Sequence, residues 1–277
     1  MIRAHMFTTR SNNMQKSLGF SLVELMIAMV AGLIVSGAVV TFTLSSMKSN
    51  SDYVLSTRLT QELRNSMDLI TRDLRRAGYD ESALGNLATG NAAAFSRLRL
   101  CNDSGACNSA TTTGTVLVTA PITCAIYAYD RANGTPGAID QSNGEVRGVR
   151  LRQRTVNGRT VGVIEYAVSL GSTQPDCSNT GNTTDGPDYA QYPAACNTTS
   201  LWCALSDPAK LDITALSIAD SGTVVGTSPS QVQVRDLTVD MIGRLAGTTD
   251  FTREIKSDVH IRSDCFDSTI SNCALAP

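Results

Sequence analysis

The chain is poor in the residues that carry most catalytic, metal-binding and nucleic-acid-binding chemistry. Of its 277 residues two are histidine and one is tryptophan, and aromatics make up 5%. The histidines are His5 and His260 and no Cys-x-x-Cys occurs, so the ligand spacings of a zinc site are missing. Neither a Gly-x-Ser-x-Gly elbow nor a nucleotide-binding P-loop is present. A formal net charge of −2 offers no strong attraction to nucleic acid. These absences argue against an enzyme and for a chain with no catalytic residues, metal or cofactor. His260, in the strand-like run Val259-His260-Ile261, reads as a solvent-facing strand histidine. Asp185-Gly186-Pro187-Asp188 lacks the oxygen-ligand spacing of an EF-hand and reads as an acidic turn.

Other absences are positional. Residues 1–19 contain Arg3, Arg10 and Lys16 but no acid. Removing those three from the 23 basic residues leaves 20 against 25 acidic ones, so the remainder carries a net −5. No charged residue lies between Glu24 and Lys48. Leu25–Leu44 is therefore long enough, at about 1.5 Å per helical residue, to cross a bilayer core of about 30 Å. The acid-free start stays cytoplasmic by the positive-inside rule, and everything beyond Lys48 is exported. A cleavable signal peptide would have an apolar core of about 7–15 residues ending at a small-x-small site. Here Ser36-Gly37-Ala38 sits inside the run, which continues to Phe42 and Leu44.

The first proline is Pro121, so nothing in residues 20–77 forbids an unbroken helix, which would span roughly 87 Å. Leu55, Leu59, Leu63, Met67, Ile70, Leu74 and Ala77 step by three or four and form one apolar stripe. Arg58/Glu62 and Asp68/Arg72 stand four apart on the remaining surface. Arg75 and Arg76 suit the negative end of the helix dipole, and Gly78 suits the stop just past it.

From Tyr79 the pattern changes to strands and polar loops. Val146–Val168 alternates apolar and polar residues around Asn157-Gly158, a strong hairpin signal. A second pair is Gln231–Leu245 and Phe251–Arg262, with Thr115–Ala120 and Leu211–Ile218 as further strands. Arg150, Arg152 and Arg154 share one face of the first hairpin, read as solvated, with a partner or phosphate surface as the alternative. Gly171–Pro193, rich in Ser, Thr, Asn, Asp and Gly, is a loop. The expected fold is α+β: one antiparallel sheet laid on the helix stripe.

The eight cysteines, with no zinc spacing, favour disulfides in an oxidising compartment. Six fall in close pairs, Cys101/Cys107, Cys196/Cys203 and Cys265/Cys273, leaving Cys124 and Cys177. Eight cysteines allow on the order of a hundred pairings. The three local pairs plus Cys124–Cys177 are the expectation adopted.

Glu24 is the anomaly. An ionisable group deep in a membrane helix costs about 2.5–3.5 kcal/mol on insertion scales, so such residues usually have a role. Gly19-Phe20-Ser21-Leu22-Val23-Glu24-Leu25 resembles the processing motif of type IV prepilins and pseudopilins. The resemblance implies that prepilin peptidase cuts after Gly19 and methylates the new N-terminal Phe20. It also implies that Glu24, then the fifth residue, sets recruitment and register between subunits. The 19-residue leader is longer than the shortest in that family. Arg72-Asp73-Leu74-Arg75-Arg76-Ala77-Gly78-Tyr79 is similar to the helix ending of the PilW family of minor pilins. The two matches cover about the first 80 residues.

The resemblance implies a pilin fold divided into a leader (1–19), a membrane or filament-core half-helix (20–47), an amphipathic half-helix (48–78) and an exported β-rich domain (79–277). It implies a bacterial inner-membrane protein that moves to the pilus tip. The implied partners are prepilin peptidase, other minor pilins, the major pilin and a tip adhesin. Direct nucleic-acid binding is not expected. A minor pseudopilin of a type II secretion system, and a pilin-anchored adhesin or DNA receptor, are the alternative readings.

Overall fold

The computed structural model describes residues 19–84, 95–111, 114–116, 121–131, 137–177, 186–187, 189, 195–227, 231–247, 251–262 and 264–266. The chain divides into two compact units between Tyr53 and Val54. One helix, α1 (Leu22–Leu74), contributes to both. In the first unit its apolar residues are exposed on every side. In the second, Leu59, Leu63, Met67, Ile70 and Leu74 are buried, the outcome the three-and-four spacing demands. Neither Arg58/Glu62 nor Asp68/Arg72 closes into an ion pair, so the exposed face of α1 gains nothing from them. Past α1 the chain turns at Gly78, whose φ of 81° lies in the left-handed region.

The second unit contains more than the single sheet expected. The first sheet has five strands: β1 (Leu98–Asn102), β4 (Ile122–Ala128), β5 (Val146–Val156), β6 (Arg159–Val168) and β7 (Trp202–Ala204), hydrogen-bonded in that order. β2 (Ser109–Thr111) and β3 (Gly114–Val116) form a separate ribbon; of the expected strand Thr115–Ala120, Thr115 and Val116 lie in β3 and residues 117–120 lie outside the described residues. The second sheet runs β12 (Thr252–His260), β11 (Asp236–Leu245), β8 (Leu211–Asp220). A small third sheet joins β13 (Cys265–Phe266), β10 (Val232–Val234) and β9 (Thr223–Val225). All the pairings are antiparallel.

The α+β architecture expected from the sequence holds, but its sheet is split. The α1 stripe packs with Ala125 and Tyr127 of β4, Val149 of β5, Ile213 and Leu216 of β8, and Val239 and Met241 of β11 in one core. At the seam, a side chain at Gly162 of β6 would run into the carbonyl oxygen of Ile213 on β8. Asp212 bridges the seam: one oxygen accepts from Gly162 N at 2.8 Å, and the other accepts from Arg244 of β11 at 2.8 Å. Two short-range sheets meeting at a glycine let both lay an inner face on the same helix.

The outer face of the five-stranded sheet is also covered. Cys124, Ile126 and Ala128 of β4 alternate with the core-facing residues and pack with Phe95, Val146, Ala167 and Trp202. Disulfides Cys101–Cys107, Cys124–Cys177 and Cys196–Cys203 tie this layer to the sheet. Cys265 is disulfide-bonded as well, while Cys273, its expected partner, lies outside the described residues. Peptide mapping without reductant should recover the three linked pairs, and reduction should cost stability of about 2–4 kcal/mol per bridge. Free thiols at these six positions would contradict the fold.

Candidate functional site

Gly19 and Phe20 precede α1, and Glu24 lies in its first turn. The turn opens with Leu25 N donating to the Ser21 carbonyl at 3.1 Å. Phe20 is 83% exposed, and Glu24 is exposed too. The Gly19-Phe20 bond therefore sits in non-helical backbone, open to a protease, with a carboxylate one helical turn further on. The helix is long and apolar enough to cross a membrane, with a mean hydropathy of 2.4 over its most apolar window and none of that window buried. Its few polar groups are turned inward: Thr41 Oγ donates to the Ala38 carbonyl at 2.9 Å and Thr43 Oγ to Val39 at 2.8 Å. Glu24 is thus the charge that a surrounding apolar phase would have to accommodate.

The arginine face of β5 corrects the reading of a solvated surface. Arg150, Arg152 and Arg154 do share a face, but Arg150 and Arg154 are buried there with Glu165 of β6. Arg150 Nη2 meets Glu165 Oε2 at 2.7 Å, and Arg154 Nε meets Glu165 Oε1 at 2.8 Å. The Arg150 guanidinium stacks 3.9 Å over the Trp202 ring. Tyr189 donates from its hydroxyl to Glu165 at 3.4 Å, and burial beside that carboxylate pushes the phenol far above its ordinary range. Gly186 lies so close to the Arg154 guanidinium that any side chain there would strike it. Asn197 Nδ2 donates to the Gly186 carbonyl at 3.1 Å. Gly186 and Tyr189 come from the stretch read as a polar loop, and with Trp202 of β7 they cover the charged face of β5 and β6. Asp185 and Asp188, the expected acidic turn, lie outside the described residues.

At the far end of α1 a second charged group forms. Asp73 accepts from the Tyr127 hydroxyl at 3.3 Å and pairs with Arg147 at 3.3 Å, which also lies 4.8 Å over the Tyr129 ring. Burial raises the phenols of both Tyr127 and Tyr129, so both stay neutral. Gly78 N donates to the Ala128 carbonyl and Asp130 N to the Tyr79 carbonyl, both at 2.8 Å, so the helix end is stitched to the end of β4. A cleft of about 870 Å³ opens beside this junction, lined by arginines from three separate segments. The sequence reading assigned Arg75 and Arg76 to the helix dipole alone and missed Arg131 and Arg262 beside them. No local pattern links residues so far apart in the chain.

His260 is exposed, as expected, with its Nδ1 at 2.7 Å from Asp236 Oδ1. Among the described residues there is no cluster of histidine, cysteine and carboxylate side chains able to hold a metal ion.

A long helix with a largely apolar N-terminal half and a second half packed with antiparallel sheets, headed by a Gly-Phe step and a lone glutamate, defines a type IV pilin-like protein. Residues 14–40 match the prokaryotic N-terminal methylation motif. Residues 52–261 match prepilin peptidase-dependent protein B, and the chain belongs to that family. Both families are of pilin-like structural proteins and not of enzymes. No curated protein and no solved structure matches the chain.

Proposed function

We propose that the chain is a minor pilin of the PilW type. Prepilin peptidase removes residues 1–19 and methylates Phe20. Residues 20–47 hold the protein in the inner membrane, and the domain from 79 onward lies outside it. The protein then joins other minor pilins in a tip complex that primes pilus assembly. Twitching motility, adhesion and DNA uptake follow from the pilus, and the chain itself catalyses nothing.

The observation that carries this reading is Glu24, one turn after the Gly19-Phe20 step and ahead of an uncharged run to Lys48. Cleavage creates an amine at Phe20. In a bundle of such helices the amine of one subunit meets the Glu24 carboxylate of its neighbour. At low dielectric that attraction is strong, whereas a wrong register leaves a buried charge unpaired.

Glu24→Gln keeps the shape and removes the charge. The variant should be cleaved and retained in the membrane, crosslink poorly to other minor pilins, and lower the number of surface pili several-fold. Normal crosslinking and piliation would reduce the helix to an anchor. Deletion of the gene separates the neighbouring roles: loss of pili with type II secretion intact supports the minor pilin, and the reverse makes it a minor pseudopilin. Normal pili and secretion, with loss of a surface-binding phenotype alone, would favour the anchored adhesin or DNA receptor.

A further inference from the structure

The cleft at the end of α1 is rimmed by Arg72, Arg75 and Arg76 of the helix end, Arg131 after β4, and Arg262 after β12. All five are exposed. Among the described residues, the side chains of Arg72, Arg75 and Arg262 have no ion-pair or hydrogen-bond partner. The helix dipole accounts for cations in the last turn of α1. It does not account for Arg131 and Arg262, which are brought from two other segments to the same cleft against their mutual repulsion. The remainder of the chain past residue 19 is acidic, so this concentration of positive charge runs against the protein's balance.

The two acids that line the cleft are outnumbered by its five arginines. Asp80 accepts from Ser82 N at 2.8 Å, and Asp130 accepts from Glu81 N at 3.1 Å and Gly137 N at 3.3 Å, so both are engaged in holding the wall. Residues 85–94 and 132–136, which adjoin the cleft lining in the chain, contain no Asp or Glu, and the acids closest to it in sequence are Asp73, Glu81 and Asp264. Tyr79 and Tyr129, with Ala77 and Ala83, give the floor an apolar share.

We propose that this cleft binds an acidic segment of a partner polypeptide, with Asp or Glu carboxylates on the arginines and an apolar side chain against the tyrosines. Guanidinium forks match carboxylates two hydrogen bonds at a time, and the cleft's volume suits a few side chains. A nucleic-acid strand fits less well. It needs a continuous cationic track, and here the positive charge is confined to one cleft on an acidic body. The proposal stands on the cleft and is independent of the tip-complex reading.

The test uses the full chain in detergent micelles and fluorescence anisotropy with a short labelled peptide of alternating Glu-Glu and Leu. Its Gln-for-Glu counterpart, inorganic phosphate and a single-stranded oligonucleotide are the competitors. The Glu peptide should bind at least about tenfold more tightly than the Gln peptide, and added salt should weaken it. Arg75→Glu and Arg262→Glu should each weaken binding about tenfold; Arg262→Glu should leave the thermal melt unchanged, and Arg75→Glu should lower it only slightly, since it sets a carboxylate at the negative end of the α1 dipole. Arg159→Glu, an equal charge change on β6 outside the cleft lining, should have little effect. No measurable binding of the Glu peptide, equal binding of the two peptides, or equal losses for all three variants would overturn the proposal. Stronger competition by phosphate or by the oligonucleotide would reassign the cleft to that ligand.

Discussion

A Gly19→Phe variant should accumulate as an uncut precursor in the inner membrane, with mature protein reduced to background. Gly19 and Phe20 lie in open backbone ahead of α1, and a side chain added at Gly19 meets no other atom of the described residues within 4 Å. The substitution therefore leaves the fold intact, and any block arises where the peptidase must enclose the glycine. Mass spectrometry of the mature wild-type protein should find an N-methylated Phe20 at its start. An N-terminus elsewhere, such as after Ala38, would remove the basis for the prepilin reading. Comparison with Glu24→Gln then separates processing from assembly: the first variant stops before the cut and the second after it.

Glu165→Ala should destabilise the globular unit by about 3–5 kcal/mol, the usual consequence of deleting one member of a buried ion pair. Arg150 and Arg154 are 2% and 9% exposed, so their charges cannot turn to water when Glu165 is removed. Against a domain stability of about 5–15 kcal/mol, that loss brings the fold close to its limit. Urea unfolding followed by Trp202 fluorescence reads the change directly, since the indole packs against Arg150. Glu165→Gln, which keeps the shape and some hydrogen bonds, should cost less than the alanine. Replacing Arg150, Glu165 and Arg154 together by apolar residues of similar volume should recover much of the loss. A midpoint for Glu165→Ala indistinguishable from wild type would mean that water reaches the two arginines and that Gly186, Tyr189 and Trp202 do not seal them.

Much of the second unit was legible in the sequence because its elements are local. The three-and-four spacing of Leu59, Leu63, Met67, Ile70 and Leu74 depends only on helical period, and these side chains are buried as that period requires. Asn157 and Gly158 both adopt positive φ, 51° and 74°, as a two-residue hairpin turn demands, and they set the register of β5 on β6. That register places Glu165 directly opposite Arg150. A charge pair across the hairpin was therefore readable from the turn alone. Its burial was not, because it depends on Gly186, Tyr189 and Trp202, tens of residues away, coming to lie against that face.

The sequence by itself determined the N-terminal motif, the uncharged run behind it, the amphipathic continuation of the helix and the first hairpin. Each of these is set by neighbouring residues or by a single period. The tertiary structure alone decided that the sheet is split at Gly162, that the arginine face of β5 is dry, and that Arg131 and Arg262 join Arg72, Arg75 and Arg76 around one cleft. Those outcomes depend on which distant segments come to lie against one another, and burial, counter-charge and cleft shape are properties of that meeting and of no segment taken singly.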